Sequence, residues 1–87
     1  VIIWDEQKNQ KLIRERNVSF EEVADKILWG EYIAILKHPA RENQQLFVIA
    51  LHGYIHVVPS VIDEKDNIVL KTVFPSRKLH KIYGGKE

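Results

Sequence analysis

Neither cysteine nor methionine occurs in the 87 residues of the chain. Without cysteine there is no disulfide framework, no zinc ribbon and no thiol nucleophile, which fits a cytoplasmic setting. Without methionine, the first residue is not an initiator. Long apolar runs are also lacking. The longest, such as 46–51, fall far short of the roughly 20 residues that span a bilayer. Val1–Trp4 gives way at once to Asp5 and Glu6, too short a run for a signal peptide. No membrane association is therefore expected. There is no GxGxxG, Walker loop, GxSxG or HExxH. A chain this short has no room for a cofactor-binding fold of Rossmann or barrel size, and no cofactor is expected. The four histidines, His38, His52, His56 and His80, form no close pair with metal-ligand spacing, so no metal site is expected either.

What is present is the mix of one small folded domain, residues 1–87, with 45% hydrophobic and 29% charged residues. The net charge of +1 conceals an uneven distribution. Residues 1–45 hold seven Lys/Arg and eight Asp/Glu. Between Ile68 and Lys86 stand Lys71, Arg77, Lys78, Lys81 and Lys86, with one His and no acid. Such a segment is either a solvated basic tail or an anion-binding strip.

Hydrophobic spacing follows a period near 3.6 early and near 2 later, so helices should precede strands. Asp5 can cap a helix over about 6–16, in which Lys8, Lys11 and Arg14 form a slanting basic stripe. Ser19-Phe20-Glu21-Glu22 is a capping box. Phe20, Val23, Ala24, Ile27 and Leu28 follow as an apolar stripe, and Gly30 is the expected stop. Four strands are expected at 32–37, 45–51, 54–62 and 68–74. His52-Gly53 should make a hairpin turn, and Pro59 should mark a bulge or an edge. Ser76 can cap a short helix to Tyr83, broken by Gly84-Gly85. The expected fold is α+β, with two helices on one face of a four-stranded antiparallel meander and a short C-terminal helix.

Chemically, Lys71, Arg77, Lys78 and Lys81 suit phosphates, with affinity falling steeply as salt rises. Phe74 and Tyr83 could stack on an unpaired base, although alternation with Leu70 and Thr72 favours the core for Phe74. His80 stands among cations, and a neutral imidazole there could act as a general base. Asp5, Glu6, Glu21, Glu22 and Asp25 read as caps and first-turn dipole partners rather than as a catalytic pair.

Three blocks carry a resemblance: Trp4-Asp5-Glu6-Gln7-Lys8-Asn9, Asn17-Val18-Ser19-Phe20-Glu21-Glu22-Val23 and Pro75-Ser76-Arg77-Lys78. Together they resemble the BrnT toxins of bacterial type II toxin–antitoxin systems. The resemblance implies a RelE-like α+β fold and a metal-independent ribonuclease that arrests growth. It also implies a hetero-oligomer with a small DNA-binding antitoxin. Lys8, Asn9, Arg77 and Lys78 match the family pattern. The family's Lys-His-Gly is Glu15-Arg16-Asn17 here, and two further polar positions are Leu12 and Thr72.

Two readings follow. In the first, Arg77 and Lys78 hold the scissile phosphate, and His80 or Tyr83 transfers protons. Lys8, Lys11, Arg14, Arg16, Lys71 and Lys81 then line the RNA backbone. In the second, the basic strip is the contact surface of a non-catalytic module that binds nucleic acid or protein.

Overall fold

The computed structural model describes residues 1–84. In chain order the elements are β1 (Ile2–Trp4), α1 (Glu6–Arg16), α2 (Phe20–Leu28), β2 (Ala34–Lys37), β3 (Gln44–Leu51), β4 (Tyr54–Ile62), β5 (Ile68–Leu70), β6 (Phe74–Pro75) and α3 (Arg77–Tyr83). The fold is α+β as expected, but the sheet has six strands, not four. Its order is β1-β5-β4-β3-β2, with β6 also paired to β4.

Each helix starts where a side chain can take an orphan N–H. Asp5 Oδ1 accepts from Gln7 N at 2.8 Å, and Ser19 Oγ from Glu22 N at 3.1 Å. The first helix stops at Asn17, whose left-handed backbone (φ 56°) lets Asn17 N and Val18 N return to Ile13 O and Leu12 O. The second stops at Gly30, with φ +70°. The Ser19 box closes only halfway, because the Glu22 carboxylate turns to His52 Nε2 at 3.2 Å.

Two strands escaped the sequence pattern. Ile2–Trp4 is too short to show a period, and its partner is distant: Ile2, Ile3 and Trp4 pair in parallel with Ile68, Val69 and Leu70. The sheet is therefore mixed rather than an antiparallel meander. The expected strand 68–74 is split. Leu70 pairs with Ser60 and Phe74 with Val57, so Lys71, Thr72 and Val73 face only Val58 and Pro59. One residue is in excess, and the chain bulges. Pro59, which has no N–H to give, sits opposite the bulge and accepts from Lys71 N at 2.9 Å. The His52-Gly53 turn has φ values of 53° and 78°, the two left-handed residues of a type I′ hairpin.

The core lies between the sheet and the first two helices. Phe20, Val23 and Ile27 of α2 pack with Phe47, Ile49, Leu51, Val58, Leu70 and Val73. Ala24 is buried as well, but Leu28 is 70% exposed. It is the last residue of a nine-residue helix, beyond the part that the core covers.

The third helix closes the free edge of β4. Ser76 N donates to Ile55 O at 3.0 Å, and Ile55 N donates to His80 Nδ1 at 3.2 Å. The His80 ring stacks on Tyr54, with centroids 4.0 Å apart. Gly84 caps this helix, whereas Gly85 and Lys86 lie outside the described residues. No helix among the described residues is long and apolar enough to cross a membrane.

Candidate nucleic-acid interface

The basic stripe of α1 faces the bulge. Steps of three residues lag a 3.6-residue turn by about 60° each, so a stripe at that spacing leaves one helix face within two steps. Lys8 and Lys11 accordingly reach the groove between α1 and residues 71–74, while Arg14 is rotated off it. Arg16 reaches it through the Leu12–Arg16 step of four. The groove encloses about 400 Å³ and is lined by Lys8, Lys11, Leu12, Glu15, Arg16, Thr72 and Phe74. Three cations thus face one carboxylate.

Two of these cations also hold the bulge. Lys8 Nζ donates to Lys71 O at 3.3 Å, and Arg16 Nη1 to Val73 O at 3.5 Å. Phe74, expected in the core, is 39% exposed and lines the groove, because the extra residue at 71–73 changes its register against the sheet. No sequence signal marked this: Leu70, Val73 and Phe74 are equally apolar, and only the break in pairing separates them. Thr72 and Leu12 complete the groove.

The proposed catalytic side chains sit elsewhere on α3. Arg77 and Lys78 are exposed in its first turn, after Ser76 Oγ takes Leu79 N at 3.2 Å. Two cations at the positive end of a helix oppose its dipole, so they are not there to stabilise it. Arg77 is three steps along the chain from Phe74, at most about 11 Å. His80 and Tyr83 share a second, smaller hollow with Tyr54, Ile55 and Gly84, apart from the basic groove. The bond from Ile55 N occupies the His80 Nδ1 lone pair, so a neutral His80 carries its proton on Nε2. Lys71 and Lys81 are exposed, and neither lines the groove.

Of the other histidines, His52 is the turn residue expected. His56 is buried, with Nδ1 on Tyr54 O at 3.0 Å. Among the described residues, no three His, Asp or Glu side chains stand close enough to share a metal ion.

Mixed sheet, paired N-terminal helices and edge-closing third helix together define a small α+β fold. No family model and no curated protein matches the chain. Among solved structures, it is similar to the crystal structure of the ribonuclease toxin BrnT from Brucella abortus. The TM-score is 0.63 and the sequence identity 17%, over 86% of this chain and 94% of that one. At that identity the likeness shows the fold, which is the BrnT fold.

Proposed function

We propose that the chain is the toxin of a type II toxin–antitoxin system and acts as a metal-independent endoribonuclease. The observation that carries this reading is the groove that sets Lys8, Lys11 and Arg16 around the exposed ring of Phe74. Cations that follow a backbone beside an aromatic platform are the needs of single-stranded RNA. The likeness in fold to a ribonuclease toxin supports it.

In this reading the strand lies along α1, with a base on Phe74, and leaves the groove toward α3. There Arg77 and Lys78 hold the scissile phosphate. The 2′-hydroxyl attacks phosphorus, the bond to the 5′-oxygen breaks, and the charge gained in the transition state falls on the Arg77 guanidinium. His80 presents Nε2–H, which suits it to hydrogen-bond the leaving oxygen rather than to take the 2′-proton; that proton passes to water, the 5′-oxygen takes one back from water, and Tyr83 is the neighbouring proton carrier. Lys71, Lys81 and Arg14 extend the contact as outer phosphate partners. A small DNA-binding antitoxin would cover this basic surface in a hetero-oligomer and hold the toxin inactive.

The engagement of His80 Nδ1 with the fold favours the second reading, a module that binds RNA without cutting it. Single-turnover cleavage at saturating protein separates the two. Arg77→Ala should slow cleavage by roughly 10²-fold or more while the melting temperature stays unchanged, and Arg77→Lys should recover part of it. Cleavage at the full rate removes Arg77 from catalysis. Salt-sensitive binding with no cleavage by the native chain, and no growth arrest on expression, leaves the binding module.

A further inference from the structure

The sheet face that carries the core is not covered to its end. The second helix stops at Leu28, and beyond it Ile35, paired with the buried Phe47, and the half-buried pair Ile2–Ile68 reach the surface on that face. Two adjoining hollows of about 470 and 370 Å³ lie there, both touching Ile2 and Leu28. Leu28 is 70% exposed, Ile35 is 45% exposed, and Trp29 beside them is 77% exposed. The side-chain charges around this apolar floor are all acidic, while the Val1 α-ammonium, which touches both hollows, is held by Asn67 Oδ1 at 3.3 Å. Glu21 and Asp25 line one hollow and Asp66 the other, and no lysine or arginine side chain lines either. Glu21, Asp25 and Leu28 fall on one stripe of the helix, four and three residues apart, so the acids lead along it to the apolar anchor point.

We propose that this face is a docking site for a basic amphipathic helix of a partner protein. Its apolar side chains would fill the two hollows, and its Lys/Arg would meet Glu21, Asp25 and Asp66. A helix is the form that fits. The floor consists of side chains on a sheet face, where an extended segment would leave its N–H and C=O groups unpaired, whereas a helix satisfies its own. Charge selects the occupant: an acidic helix would set like charges against the same three carboxylates. The site lies away from the basic groove and does not depend on the nuclease reading.

The probes are two synthetic helical peptides with the same leucine pattern, one with lysine and one with glutamate on the polar face, titrated into isotope-labelled chain. The lysine peptide should bind and shift the amide signals of Ala24–Leu28, Ile35 and Ile68. Asp25→Lys with Asp66→Lys should weaken it about tenfold, the factor that about 1.4 kcal/mol represents. Leu28→Ser, at an exposed position, should abolish binding without lowering the melting temperature. Equal binding of both peptides overturns the proposal, as do shifts confined to 8–16. A concentration-dependent dimer dissolved by Leu28→Ser also overturns it and gives the face to a second copy.

Discussion

Asn9 is fully buried, and its amide is used at both ends. Oδ1 accepts from Phe20 N at 2.7 Å, while Nδ2 donates to Glu21 Oε1 at 2.8 Å and reaches the Glu6 carboxylate at 3.3–3.4 Å. This one side chain ties the first helix to the start of the second. It also explains what the W-D-x-x-K-N and V-S-F-E-E blocks share: Asp5 and Ser19 cap, Asn9 clamps, Phe20 fills the core and Glu21 answers Asn9. The pairing visible in the sequence is thus a joint of the fold. Asn9→Ala leaves the Phe20 N–H without a partner and should cost about 1–3 kcal/mol. A thermal melt should register this as a fall of about 4–8 °C per kcal/mol. Asn9→Asp keeps the acceptor but faces two other carboxylates, so its deficit should widen from about pH 4 to pH 7. At the same scale, hydrogen bonds from the backbone and side chain of Asn67 hold the Asp63 carboxyl below its usual value of 3.8. Gln10, Trp4 and Asn9 do the same for Glu6. Folded values below unfolded ones mean stability present at neutral pH and lost as pH falls through the folded values. Melting temperature should therefore drop below about pH 4, and Asp63→Asn should flatten that limb.

At the scale of elements, the parts with a long period or a strong punctuation mark were legible. The second helix shows a full apolar stripe between Ser19 and Gly30, and the β3–β4 hairpin turns at His52-Gly53 as its residue types dictate. The first strand was not legible, since three apolar residues carry no period and their partner lies at the other end of the chain. Nor was the split of the last strand, which follows from pairing geometry rather than composition. The third helix was read from Ser76 as a cap. Its use of His80 to satisfy Ile55 was hidden, because that bond depends on how the helix meets the edge of the sheet. Gly84 protects this contact, since a Cβ there would collide with the His80 ring. Gly84→Ala should displace the ring, free the Ile55 N–H and speed its hydrogen exchange while the helix-2 amides keep their protection. An unchanged rate at Ile55 would refute this.

For the whole molecule, one core holds two surfaces of opposite charge apart: the groove of Lys8, Lys11 and Arg16, and the apolar face ringed by Glu21, Asp25 and Asp66. The sequence revealed that cations crowd the first helix and the C-terminal segment. It did not reveal that the first set faces a bulge and an exposed Phe74, because that meeting is made by the sheet. The core under both surfaces rests on residues such as Ile27, and Ile27→Asp should cost more than about 3 kcal/mol by burying an unpaired charge. A melting temperature within a degree or two of the native one would refute this.

The parallel pairing of β1 with β5 sets an order of events for the growing chain. The β3–β4 hairpin joins neighbours in sequence and can form early. Ile2 and Trp4, made before their partner, have no strand to rest on until residues 68–70 exist. A contact of such long range is slow to close and adds to the folding time out of proportion to its three residues. The seam that completes the sheet is therefore the last to shut, and until synthesis has passed Leu70 the first strand remains unpaired.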